Sequence, residues 1–174
     1  ALKAQGKNDA AYDAFHKATW SSAWAGAAYY YLAELDCARG DFSKALDFLD
    51  RSLSMSSFNT KALNLKSALL RKLGRFEEAE EIASLVLAFD PLDFWAGNEL
   101  YLAKSAMDRK EEALDAKKTL RTKMRDAALS YLELASDYEN CGMHDEAAEA
   151  LLRLVDSRKR WDSNHPLLYY YLGY

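Results

Sequence analysis

Small and apolar residues recur three positions apart in a set of short stretches: Phe15 and Ala18, Leu49 and Ser52, Ala83 and Val86, Leu151 and Leu154. That interval keeps two side chains on one face of an α-helix, so each stretch predicts a helix with a buried stripe. A second set of stretches carries a complementary pattern. It is clearest in Tyr131, Leu134, Ala135 and Tyr138, and is echoed by Tyr29, Leu32 and Ala33 and by Tyr169, Leu172 and Gly173. Large, apolar and small places in succession offer a knob and its hole to a neighbouring helix.

The two patterns alternate with one period. Ala11, Ala45, Ala79, Ala113 and Ala147 stand thirty-four residues apart throughout, and five residues before each lies Gly6, Gly40, Gly74, Asp108 or Gly142. A fixed interval of this length marks a repeat architecture. A glycine between two apolar helical stretches is where one helix stops in a left-handed cap and the chain reverses. Most L-residues take that conformation at a cost of roughly 1 kcal/mol or more, and Asp, which holds the glycine place at Asp108, is among those that tolerate it best. The alanine in the next helix is small enough to let the two helices of a pair approach closely. One such pair cannot bury its own apolar faces, so successive pairs must stack.

With Pro91 after Asp90 just ahead of a new helix, the aromatic, Leu, small and Tyr places, the turn glycine and the alanine together resemble the tetratricopeptide repeat. The resemblance implies an all-α, right-handed superhelical solenoid of antiparallel helix pairs, forming a single array over 1–174. Its units are 26–59, 60–93, 94–127 and 128–161, with a second helix of a preceding unit at about 7–20 and a partial unit at 166–174. The stretches AAYDAFHKATWS, LLRKLGR, DPLDFWAGNEL and HPLLYYYLGY are also similar to C-terminal repeat regions of large bacterial proteins of uncharacterised function, in which such arrays follow a β-rich domain.

The unit at 94–127 departs most from the pattern. Gly97 stands at a large place, Tyr101 at a small one and Lys117 at an apolar one, which predicts local distortion and a loosely packed second helix. Lys66 replaces the usual leucine of the unit before it. The connection SRKRWDSNH lengthens the last interval, and Trp161 in it is expected to fold back onto the preceding pair.

Composition narrows the function. Half of the 174 residues are apolar, with only two prolines and seven glycines, as suits a helical protein with a sizeable core. A net charge of −4 with interleaved signs argues against a nucleic-acid or membrane-surface partner, and Arg158, Lys159 and Arg160 read as a solvated loop. Cys37 and Cys141 lack metal-ligand spacing and suggest a reducing compartment; the expected location is cytoplasmic. His16, His144 and His165 stand alone, His144 at a place filled by Phe42 and Phe76 in other units, which predicts a packing role. Glu77–Glu78 and Glu111–Glu112 open second helices, where negative charge complements the helix dipole. No nucleophile, metal or acid–base constellation stands out, so an enzyme is not expected and no cofactor is implied.

The resemblance implies a concave groove lined by first helices, here Tyr30 and Glu34, then Lys61, Asn64 and Arg71, then Trp95, Asn98 and Glu99, then Leu132 and Ser136, and Tyr170. The expected function is a protein–protein interaction scaffold binding a peptide or neighbouring domain there. The alternative is a structural spacer or an oligomerisation segment of a larger, carbohydrate-related bacterial protein, as the second resemblance implies, with a homodimer formed through apolar ends near Phe15 and Tyr169–Tyr171. Tyr30 and Glu34 stand where chaperone-tail binders of this family carry the start of a two-carboxylate clamp, which disfavours such a tail.

Overall fold

A computed structural model describes residues 2–157. After a short turn at Lys3–Gln5 come nine α-helices: α1 (Asn8–Ala18), α2 (Ala25–Ala38), α3 (Phe42–Met55), α4 (Thr60–Lys72), α5 (Phe76–Phe89), α6 (Phe94–Ala106), α7 (Lys110–Met124), α8 (Ala128–Asn140) and α9 (His144–Ser157). The described residues are therefore all-α. The helices pack as antiparallel pairs, α2 with α3, α4 with α5, α6 with α7 and α8 with α9, in the manner of a tetratricopeptide-like solenoid. The segment 166–174, Trp161 and the cluster Arg158 to Arg160 lie outside the described residues.

The turn inside each pair repeats one hydrogen-bond scheme. Gly74 N–H donates to Arg71 O and Arg75 N–H to Leu70 O, and the same two bonds recur at Gly40–Asp41, Asp108–Arg109 and Gly142–Met143. This is the left-handed cap that satisfies the last carbonyls of a helix. Asp108 adopts it with φ of +57°, so the substituted place keeps the geometry of the glycine. The five repeated alanines are all buried, and in α3, α5, α7 and α9 each lies where the second helix of a pair packs on the first. In two pairs a hydroxyl ties the elements together: buried Ser67 donates to Ala79 O across α4 and α5 at 2.8 Å, and Ser52 to Gly26 O at the same distance.

Between pairs, Asn59 and Asp93 cap α4 and α6 by accepting from Ala62 and Ala96 N–H. The α6–α7 pair, expected to be distorted and loosely packed, pairs as closely as α4–α5. Leu120 packs against the face of Gly97 so closely that a Cβ there would lie 3.0 Å from its Cδ1, and Lys117 is displaced to the surface, over the ring of Tyr101. Outside this pair is an open hollow of about 510 Å³ lined by Leu87, Gly97, Leu100, Ala116 and Leu120 among others.

Regular stacking ends after α7. Met124 closes that helix, and Arg125 and Asp126 both take left-handed backbone, φ +54° and +50°. The chain turns sharply here, and α7 and α8 barely touch although they are neighbours in sequence. The α8–α9 hairpin instead lies across the concave side of the first three pairs. Its turn reaches α2, where a Cβ on Gly142 would lie 2.7 Å from the Cα of Ala38 and 2.9 Å from its Cβ. The surface of α7 away from that hollow accounts for the reversal: Leu114, Lys117, Lys118 and Thr122 are exposed there, a mostly polar surface that offers little to the apolar face of α8. Tyr131, Leu132, Leu134, Ala135 and Tyr138 of α8 are instead buried in one core with Tyr30, Leu65, Leu69 and Trp95.

Gly74 and Gly142 share the same left-handed conformation, but only Gly142 meets another backbone. Gly74→Ala is expected to cost about 1 kcal/mol from the conformation alone. Gly142→Ala is expected to cost about 2–4 kcal/mol, because the added methyl also forces the hairpin away from α2. Equal losses in urea midpoints for the two variants would contradict this placement of the hairpin.

Candidate protein-binding groove

The groove is built by α2, α4 and α6, each ended by the repeated left-handed turn and the last two capped by Asn59 and Asp93. The residues selected from the sequence do converge on it, but not as an open surface. Tyr30, Glu34, Asn64, Trp95, Asn98 and Glu99 are all buried, because α8 and α9 cover them. Lys61 alone of the described set is largely exposed, at 62%. Tyr170 lies outside the described residues. Leu132, expected to line the same groove as a fourth wall, belongs instead to the hairpin that fills it.

The hairpin is held by polar and aromatic contacts in register with α4 and α6. At the centre, the Tyr138 hydroxyl donates to Glu99 Oε1 at 2.5 Å and accepts from Asn98 Nδ2 at 2.7 Å. The ring of Tyr138 meets Trp95 edge-on with centroids 5.6 Å apart, a favourable aromatic geometry. Arg71 binds Glu99 through Nε at 2.7 Å and also reaches Glu146 of α9 at 3.0 Å. Lys72 pairs with Glu146 at 2.5 Å, and Lys61 with Asp137 of α8 at 3.1 Å. At the far end, Lys3 pairs with Glu34 and donates to the carbonyl of Asn140 at 3.1 Å. Arg153 lies over the ring of Tyr101, its guanidinium carbon 5.6 Å from the centroid.

These environments shift the titrating groups in defined directions. Burial pushes the Tyr138 phenol far above its ordinary value, aided by the Glu99 carboxylate. Burial disfavours the Arg71 cation, but the Glu99 carboxylate more than offsets this, so the guanidinium is held more firmly protonated than usual. For Glu146, burial raises the carboxyl pKa, yet the bonds from Lys72 and Arg71 outweigh it and the net shift is downward. Cys37 and Cys141 are free, buried thiols near the tip of the hairpin, and burial pushes Cys37 up to about 12. Both are therefore held protonated and shielded while the hairpin is seated.

Some buried polar atoms of the groove have no partner within the chain: Asn64 Oδ1, Trp95 Nε1 and Asn98 Oδ1. Asn64 is nonetheless anchored, its Nδ2 donating at 2.9 Å to Asp93, the residue that also caps α6. A small cavity of about 160 Å³ beside Asn64 and Trp95 separates them from Glu133 and Asp137 of α8. Among the described residues no cluster of three or more His, Cys, Asp and Glu is placed to hold a metal ion. None of the described helices is long and apolar enough to cross a membrane.

Two features differ from the sequence reading or escaped it. His144 is exposed and bonds Glu139 at 2.9 Å, and Met143 beside it takes the buried place, because the turn is pressed onto α2. An apolar ridge also runs along the edge where one pair passes to the next: Trp24, Phe58 and Leu92, with Met55 and Phe89, are each more than half exposed. Trp24, Phe58 and Leu92 stand thirty-four residues apart, a spacing visible in the sequence once the period is known. At the start of the array, Phe15 is stacked on Tyr31 with ring centroids 4.9 Å apart, and Tyr169–Tyr171 lie outside the described residues.

The helix pairs and their turns give the chain the fold of the tetratricopeptide-like helical solenoids. No family model matches the sequence. Among solved structures it is similar to MamA, residues 41 to the end, from Desulfovibrio magneticus RS-1, at 19% identity and a TM-score of 0.69, covering 93% of this chain and 92% of that one. A tetratricopeptide repeat protein from Parabacteroides merdae ATCC 43184 gives 18% identity and a TM-score of 0.66, over 99% and 70%. The first repeat domain of Spaghetti (RPAP3), solved bound to the HSP90 peptide SRMEEVD, gives 16% identity and a TM-score of 0.56, over 66% and 90%. At these identities the likeness is one of fold.

The lowered carboxyl of Glu146 has a consequence for acid stability. A group whose folded pKa is depressed adds stability that is present above its unfolded value and lost as pH falls through the folded one. The urea midpoint is therefore expected to fall below about pH 4.5. Glu146→Gln is expected to cost about 1–3 kcal/mol at neutral pH and to flatten that acid limb. An acid limb identical in the wild type and the variant would show that Glu146 is not linked to stability.

Proposed function

We propose that the chain is a non-catalytic protein-interaction scaffold whose concave groove receives a helical segment carrying carboxylates and an aromatic residue. The observation that carries this reading is the chemistry of what the groove already holds: Asp137, Glu146 and Tyr138, set against Lys61, Arg71, Lys72 and Trp95. A partner in this groove gains directional ion pairs and a rigid aromatic anchor, the contacts that concentrate binding energy at protein interfaces. The buried atoms Asn64 Oδ1, Trp95 Nε1 and Asn98 Oδ1 take no partner from the hairpin, so a segment that offers one has hydrogen-bonding groups to meet there. The peptide-bound relative of the same fold supports a binding role of this general kind.

A second reading, a spacer or self-association element, is favoured by the exposed ridge of Trp24, Phe58 and Leu92. The groove carries the more specific chemistry. In the full chain, Asp137→Lys with Glu146→Lys leaves every groove cation intact but turns the hairpin's charges against them. The variant should release its hairpin, read as faster alkylation of Cys37 and Cys141. A synthetic peptide of wild-type residues 127–157 should then bind it with micromolar affinity. Exposed thiols without peptide binding would defeat the proposal.

A further inference from the structure

We infer that the hairpin is exchangeable between molecules, so that the groove of one copy receives α8–α9 of a second copy in a reciprocal, hinge-swapped dimer. This deepens the groove reading and rests on it, since it names the partner as the same chain.

Three observations lead there. The first is the hinge. Residues 125–127 join α7 to α8, and Arg125 and Asp126 are the only non-glycine residues besides Asp108 with positive φ among those described. The carboxylate of Asp126 is held by Arg121 at 3.0 Å and by the Tyr131 hydroxyl at 3.3 Å, so its conformation is partly compensated. Arg125, an exposed L-residue, sits in the same region as the cap of α7. A short connection held in a disfavoured backbone state promotes swapping, because opening it relieves the local cost.

The second observation is how little ties the hairpin to the helix that directly precedes it. Contacts between α7 and α8 are sparse, whereas α8 and α9 pack on each other and α8 meets α6 across the groove. Opening at the hinge thus moves the hairpin as one body. The third is the face that opening would expose. Tyr131, Leu132, Leu134, Ala135 and Tyr138 cannot stay in water without loss, and the groove opposite would present Tyr30 and Trp95. A second open copy restores every one of these contacts, including the 2.7 Å geometry that admits only glycine at Gly142. The interface of the swapped form equals that of the closed monomer.

The balance is then set by hinge strain against concentration. A hairpin on a short connection has an effective concentration in the millimolar range. One uncompensated left-handed residue lowers this by roughly tenfold, so swapping should become appreciable on the order of 100 μM chain.

Arg125 is exposed, so its side chain tunes the hinge without entering the groove. Arg125→Gly, which takes positive φ freely, should lower the dimer association constant at least about fivefold, and Arg125→Ile, β-branched and disfavoured there, should raise that constant by a similar factor. The full-length variants are incubated at 200 μM as equal mixtures of ¹⁴N and ¹⁵N chains, separated by sedimentation velocity and coupled with a zero-length carbodiimide. Mixed-isotope Lys61–Asp137 and Lys72–Glu146 cross-links in the dimer, ordered Ile, then wild type, then Gly, would establish the swap. Cross-links of one isotope only, or a dimer fraction unmoved by Arg125, would overturn it. If Arg125→Ile exposes Cys37 and Cys141 to alkylation yet stays monomeric, the swap fails while the groove reading stands, and the opened groove is left to a foreign helix. If the thiols stay protected and no dimer forms, the swap fails at the hinge.

Discussion

An apolar helix face must be covered, and the outward face of α7 cannot do it. In a regular stack each second helix offers the next pair an apolar surface, but α7 presents Lys117, Lys118 and Thr122 to solvent. The face of α8 built from Tyr131, Leu134 and Tyr138 then finds its burial on the inside of the curve rather than at the end of the stack. The sharp turn at Arg125 and Asp126, the occupied groove and the ion pairs across it follow from that mismatch. A solenoid normally displays its concave wall, whereas this one has folded the α8–α9 pair against it.

The groove is consequently a polar core as well as a concave wall. Arg71, Glu99, Tyr138 and Asn98 form a connected set in which each charge has an opposite and the phenol has both a donor and an acceptor. Removing two charges from water costs several kcal/mol per ion, so the set contributes more to register than to raw stability. It specifies which residue of α8 lies over which residue of α6, a distinction that Leu-on-Leu packing would leave loose. The outer pairs Lys61–Asp137 and Lys72–Glu146 are more exposed and more readily screened by salt.

The repeat itself was legible because its causes are local. A left-handed cap needs Gly or a tolerant residue, a close crossing needs Ala, and both leave marks thirty-four residues apart; Asp108 even obeys the rule as an exception. The helix places facing inward could be named from the same register, and Tyr30, Asn64, Trp95, Asn98 and Glu99 do share one wall. What covers that wall was not legible, since Tyr138 and Glu146 read as ordinary members of a fourth unit. The sign of the reversal was present in the polar residues of α7, read beforehand only as loose packing at Lys117. His144 was misplaced for a related reason: homology of position between units assumes that each turn has the same surroundings, and the Gly142 turn alone is pressed onto α2.

The contact between Gly142 and Ala38 brings two main chains almost to touching. Long side chains at an interface can bend, share partners and slide by a residue, so their grip loosens by degrees. A backbone-on-backbone seat has no such slack, because a shift of one helical step would drive a Cβ of α8 or α9 into α2. The seated hairpin accordingly has a single register, and Ala38, by being no larger than a methyl, defines it.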